Sequence, residues 1–167
     1  MKIAYQGNEG SYSESCAKKI YGPNCITVPC KTFDEVFTKA YEDEEIRAII
    51  PESNKTTGNI GLEYLIFKYR LNIYAEYFYP IHHHLLCLPE AKLQDIKNVY
   101  SHTQGLSQCS NYIKKNNFIE NVWADTAGSA RMVEFEKNIT NAAIASKESA
   151  KIYNLKILAS DIQDEKE

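Results

Sequence analysis

The sequence predicts an α/β fold of two lobes, each a mostly parallel sheet flanked by helices. Three observations predict it. Short apolar runs alternate with amphipathic stretches of helical length along most of the chain, the pattern of βα units. Near residues 71–80 that alternation gives way to a long, aromatic, β-rich segment without glycine, a change expected where extended crossovers join two lobes. The 167 residues, 44% hydrophobic and 25% charged, suffice for one domain or two small lobes with a real core.

Each element has its own local reason. Residues 2–5 read as a buried strand and 11–21 as a helix. Ser11 is that helix's candidate cap, Glu14 stands at the spacing of a capping box, and Gly22-Pro23 ends it. A short strand at 25–28 follows. Thr32 then caps a helix over 33–43, with Glu35 three residues on and an apolar stripe of Phe33, Val36, Phe37 and Ala40. Residues 47–50 form a third strand. Leu62, Leu65, Ile66 and Tyr69 recur at helical spacing within 61–70. Residues 71–88 read as extended strands leaving the first βα set. Strands at 96–100, 122–124, 142–145 and 155–158 then alternate with helices at 105–115, 126–137 and 147–153. The stretches 71–80 and beyond 155 are both expected to cross between lobes. The first lobe is thus 1–74 plus 157–167 and the second 75–156.

Composition narrows the function. A net charge of −3 argues against nucleic acid, which calls for a clustered basic surplus. The basic doublets Lys18-Lys19 and Lys114-Lys115 fall late in helices, where they complement the helix dipole. No segment approaches the ~20 apolar residues of a membrane span, and the N-terminus has no apolar stretch of a signal peptide. A cytoplasmic protein is expected. Its five cysteines, odd in number and without a CxxC pair, are expected as reduced thiols. His82-His83-His84 is not expected to bind zinc, because consecutive strand residues point to alternate faces.

Four segments at strand ends could carry chemistry. Ligands of open α/β sheets bind outside the carboxyl ends of strands, where helix starts offer backbone N–H groups to anions. The first, residues 5–13, holds Gly7 and Gly10 for close backbone approach and Ser11 at a helix start; on this segment alone a tight turn with a capping serine is the stronger reading. The second, residues 100–109, offers Ser101 and His102, then Gln104 and Gln108 at i and i+4 on one helix face. Its alternative is N-capping and a solvated first turn. The third, residues 123–130, lets Asp125 or Thr126 cap a helix whose first turn is kept bare by Ala127, Gly128, Ser129 and Ala130. Dense packing of helix on sheet would use the same residues. The fourth, residues 50–58, carries Asn54, Lys55, Thr56 and Thr57, with Lys55 able to meet a carboxylate; a polar surface turn is its alternative. Neither a Ser-His-Asp triad nor a Walker loop can be assembled from them.

Taken in order, these residues resemble the catalytic domain of prephenate dehydratase over essentially the whole chain. The opening glycine motif stands as Gln6-Gly7, Gly10 and Ser13. The Ser-His-Pro-Gln and Gln-Cys motif stands as Ser101, His102, Gln104, Gln108 and Cys109, with Thr103 in place of proline. The Ser-Thr-Ala motif stands as Asp125-Thr126-Ala127, and the Ala-Ala-Ile-Ala-Ser segment is intact at 142–146, continued by Tyr153 and Leu155. In the family's Pro-Ile-Glu-Asn-Ser motif Asn54 is kept, while Ser53 replaces Glu and Lys55 replaces Ser.

The resemblance implies a periplasmic-binding-protein-like fold and a carbon–oxygen lyase of L-phenylalanine biosynthesis. That enzyme turns prephenate into phenylpyruvate, carbon dioxide and water without metal or cofactor. It implies substrate contacts at Gly7, Ser11, Asn54, Lys55, Ser101, Gln104, Gln108, Thr126 and Ala127, and makes His102 a candidate acid, with a structural role beside Ser101 as the alternative. It also implies a homo-oligomer. The family's Thr-Arg-Phe motif, which supplies a catalytic threonine beyond Ile162-Gln163-Asp164, does not follow here, so impaired turnover is expected. No regulatory ACT domain follows either, so feedback inhibition by phenylalanine through one is not expected. The competing readings are a non-catalytic two-lobed module for a small carboxylate, an arogenate dehydratase, and an enzyme that decarboxylates prephenate.

Overall fold

In the computed structural model, which describes residues 1–54 and 58–165, the alternating pattern resolves into two units. Met1–Asn8 and Tyr12–Tyr79 form the first, and Glu9–Ser11 and Pro80–Glu167 the second.

In the first unit, β1 (Lys2–Gln6), β2 (Ile26–Cys30) and β3 (Ile46–Ala48) make a parallel sheet in the order β2-β1-β3. The central β1 buries Ile3, Ala4 and Tyr5 in succession, as a strand covered on both faces must. Helix α1 (Tyr12–Tyr21) carries the buried Glu14, whose Oε1 accepts from Lys18 Nζ at 2.6 Å and Thr27 Oγ1 at 3.0 Å. Helix α2 (Phe33–Glu42) starts where its cap predicts. Thr32 Oγ1 accepts the Glu35 N–H at 3.1 Å, and the Lys31 N–H donates to Glu35 Oε2 at 2.8 Å. Val36 packs with Ala4 and Cys30, and Phe37 with Leu62 and Leu65. A two-stranded antiparallel ribbon, β4 (Ser53–Asn54) with β5 (Gly58–Asn59), precedes α3 (Glu63–Tyr69).

Residues 71–83 contain no strand, contrary to the expectation of extended strands over 71–88. Two of their rings, Tyr74 and Tyr79, find side-chain partners instead of a ladder. Tyr74 meets Tyr21 through their hydroxyls, the Arg47 guanidinium lies 5.2 Å from the centre of the Tyr74 ring, and Lys19 lies 5.4 Å from that of Tyr79. Ile73, Tyr74, Tyr77 and Phe78 stay exposed. Strand preference in such residues reflects packing on a half-buried pleated face, and this segment has none.

The second unit is built on a five-stranded sheet in the order β10-β6-β9-β7-β8. Its strands are β6 (His84–Cys87), β7 (Asn98–Ser101), β8 (Ile119–Val122), β9 (Asn141–Ala145) and β10 (Lys156–Ala159). β7 runs parallel to β8 and β9, whereas β6 is antiparallel to β9 and β10. Every residue of β6 and β9 is buried. The helices are α4 (Thr103–Gln108), α5 (Ser110–Lys115), α6 (Thr126–Glu136) and α7 (Lys147–Ile152). Leu106, Ile113 and Val133 from them join Leu85, Leu86, Val99 and Ile144 of the sheet in one core.

Two further expectations are corrected here. Residues 157–165 belong to the second unit, not the first. Lys156 and Ile157 pair with Cys87 and Leu86, and Lys156 Nζ donates to the Pro89 carbonyl at 2.8 Å. The single helix expected over 105–115 is two, joined at Cys109 with φ −115° and ψ 19°. The second gains its own cap from the tail. Asp164 accepts from Ser110 Oγ at 3.0 Å and from the Asn111 N–H at 3.1 Å, while the Asp164 N–H donates to the Gln108 carbonyl at 2.7 Å.

Candidate active site

Because β7, β8 and β9 are parallel, their carboxyl ends lie along one edge of the sheet, with Ser101 beside Val122 and Tyr100 beside Ala143. Helices α4, α6 and α7 leave that edge, each capped by a side chain. His102 Nδ1 accepts the Gln104 N–H at 3.2 Å, Asp125 Oδ1 the Gly128 N–H at 2.7 Å, and Ser146 Oγ the Ser149 N–H at 3.0 Å. The caps satisfy some of the first-turn donors and leave the positive ends of three helix dipoles on one side of the sheet.

Ser101, expected as a substrate contact, is buried at this position. It is 0% exposed, and its Oγ donates to the Ile144 carbonyl at 2.7 Å, tying β7 to β9 beneath the helix starts. Directly above it lies Gly105, where a Cβ would stand 2.6 Å from Ser101 Oγ and 3.5 Å from Thr126 Cγ2. The missing side chain at Gly105 therefore lets α4, the end of β7 and the start of α6 converge. Thr126 is half-buried at that convergence, and Ala127, Gly128, Ser129 and Ala130 behind it are buried, so the small first turn of α6 serves close packing. His102 takes the capping role; with Nδ1 as acceptor, the neutral ring carries its hydrogen on Nε2.

Gln104 and Gln108 are both half-buried on α4. Gln108 Oε1 lies 2.7 Å from Nε2 of His83, a histidine that the sequence reading considered only as a metal ligand. Burial pushes the His83 pKa down, partly offset by the Gln108 hydrogen bond, and burial likewise lowers that of His84 against the pull of Asp161. Burial, then the Asp164 carboxylate, pushes the Cys109 thiol up to about 12.

The segment Glu9–Ser11 meets the start of α7. The Gly10 carbonyl accepts from Ser146 Oγ at 2.6 Å and from Ser149 Oγ at 3.1 Å, and Tyr153 Oη donates to the Glu9 carbonyl at 2.9 Å. Gly10 has φ +87°, and a Cβ there would lie 2.9 Å from Ser149 Cα. The close approach expected of Gly10 is thus to protein rather than to ligand, and Ser11 beside it is buried. Ser146 closes the Ala-Ala-Ile-Ala-Ser segment read in the sequence, whereas nothing there singled out Ser149.

The first unit holds Gly7, with φ 114° and its N–H donating to the Cys30 carbonyl at 2.9 Å, and Asn54, whose backbone belongs to β4. Lys55 lies outside the described residues. Two surface clefts, of about 350 Å³ against residues 159–164 and about 460 Å³ against residues 70–73, take in none of the expected site residues. Among the described residues no group of three or more His, Cys, Asp or Glu side chains is placed to hold a metal ion.

The family described as prephenate dehydratase matches residues 3–167. Arogenate dehydratase 2 of Petunia hybrida is 41% identical over 166 residues, which are 99% of this chain and 42% of that protein. A solved structure described as GqqA, a novel type of quorum quenching acylase, superposes with a TM-score of 0.89 at 28% identity, over 98% of this chain and 60% of that one. Prephenate dehydratase from Arthrobacter aurescens, solved with L-Phe, superposes with a TM-score of 0.88 at 22% identity, over 99% of this chain and 56% of that one, and shares the fold. The chain spans 42% of the Petunia relative's length. Since the family pattern runs from residue 3 to residue 167, through both units, the chain belongs to the prephenate dehydratase family.

Proposed function

We propose that the chain binds and dehydrates prephenate or arogenate, ring acids that become aromatic by losing water and carbon dioxide together. The observation that carries this reading is the single sheet edge from which α4, α6 and α7 start, bringing Gln104, Gln108 and Thr126 to helices that share it. Backbone N–H groups and neutral amides at such an edge suit a carboxylate and an oxygen leaving as hydroxide, because preorganised donors stabilise charge where it develops. Prephenate would yield phenylpyruvate, and arogenate phenylalanine. Gln104, Gln108 and Thr126 would hold the substrate, Ala127 would keep the first turn of α6 close to the sheet, and His102 would offer its Nε2–H as a neutral donor. The name of the Petunia relative favours including arogenate. Self-association and a reducing, cytoplasmic setting belong to the same reading; the five free thiols support the reducing setting alone.

Incubation of the purified chain with each acid tests the reading. Phenylpyruvate or phenylalanine should appear as the acid disappears. Binding without turnover would favour a carboxylate-binding module, and carbon dioxide without an aromatic product would favour a decarboxylase.

A further inference from the structure

His83 is a buried side chain that the proposed chemistry leaves without a role. It stands immediately before β6, 2% exposed, with its Nε2 2.7 Å from Gln108 Oε1. An amide oxygen only accepts, so the hydrogen in that bond sits on the imidazole Nε2. Burial disfavours the charged ring, which keeps the donor a neutral Nε2–H. The main chain of His83 is fixed as well. Its N–H donates to Gln163 Oε1 at 3.0 Å, and its carbonyl accepts the Ile162 N–H at 2.9 Å. The same tail reaches Gln108, whose carbonyl accepts the Asp164 N–H at 2.7 Å. The ring and the residue it holds are therefore anchored to one three-residue segment, Ile162 to Asp164.

A primary amide has two faces for a ligand. Its oxygen repels a carboxylate and its NH2 group attracts one, and rotation about the last side-chain bond exchanges them. Fixing the oxygen on His83 turns the NH2 group the other way. We propose that His83 is a positioning residue, which holds the Gln108 amide so that its NH2 donor faces the substrate's acid or leaving oxygen. The substrate half of this statement rests on the dehydratase reading above; the orienting half does not.

The test uses the whole 167-residue chain and two variants. His83→Gln keeps a donor near the Nε2 position, and His83→Phe removes it. Side-chain 15N NMR reads the Gln108 NH2 pair, and steady-state assays with prephenate and arogenate read turnover. In His83→Phe the Gln108 NH2 signals should broaden or collapse and kcat/KM should fall on the order of a hundredfold. In His83→Gln both should largely return, even if the two variants lose similar amounts of Tm. Unchanged Gln108 signals in His83→Phe, or equal losses of activity in both variants, would overturn the proposal. Should His83→Phe fail to fold, wild-type imidazole 15N shifts decide: a protonated Nε2 coupled to Gln108 supports it, and an unprotonated Nε2 overturns it. If the wild-type chain neither binds nor converts either acid, the dehydratase reading fails, and the NMR comparison still decides whether His83 orients Gln108.

Discussion

Gly105 shows how one absent side chain organises the candidate site. A methyl group there would meet the Ser101 hydroxyl at 2.6 Å, so Gly105→Ala should destabilise the second unit by about 1–3 kcal/mol, as overpacking does. Ser101→Ala should cost a similar amount, about 1–3 kcal/mol, by leaving the Ile144 carbonyl without its donor. The two changes should combine to less than their sum, because the second removes the atom with which the first collides. Urea denaturation of the three variants checks this, and strict additivity would contradict it. The direction of Ser101 was in fact legible. Alternation along β7 puts it on the same face as Val99, which is buried. What hid it was the motif, which drew attention to the hydroxyl and away from its phase in the strand. His83 was hidden differently, since nothing in its local sequence says that Gln108 lies opposite.

Two helix starts with a self-contained local signal came out as read. Thr32 and Glu35 fix the start of α2, and Asp125 fixes that of α6 through the Gly128 N–H. Asp125→Ala should therefore cost about 1 kcal/mol, seen as a lower Tm, whereas Asp125→Asn should cost less. The break between α4 and α5 had no such signal, because its cap, Asp164, comes from more than fifty residues away. Asp164→Ala should fray α5 selectively, with faster amide exchange at Asn111 and Tyr112 than in α6. The aromatic stretch before β6 failed for the opposite reason. Its local preference for strand is strong, but its Tyr74 and Tyr79 rings are held by Tyr21, Arg47 and Lys19, which no local pattern could announce.

Over the whole molecule, the layered α/β character and the placement of polar residues at strand ends were legible from alternation alone. The allocation of segments to units was not, since pairing of β10 with β6 is a non-local choice. That unit also has a pH response of definite sign. His83 and His84 are buried with lowered pKa values, so the folded form holds them neutral while the unfolded chain protonates them near the ordinary value of about 6.5. Their contribution to stability is present above that value and is lost as the pH falls through it towards the folded values. Tm should decline between pH 7 and 5, and the decline should be shallower in a His83→Gln, His84→Gln double variant. A slope unchanged by these substitutions would assign it to carboxylates instead.

The allocation of Glu9–Ser11 to the second unit bears on any attempt to split the gene. Cutting the chain between Tyr79 and Pro80 would give a C-terminal fragment whose Ser146 and Ser149 hydroxyls have lost the Gly10 carbonyl that receives them. Such a fragment should be recovered poorly on its own. It should be rescued in trans by a short synthetic peptide bearing the glycine, and not by the same peptide with alanine in its place.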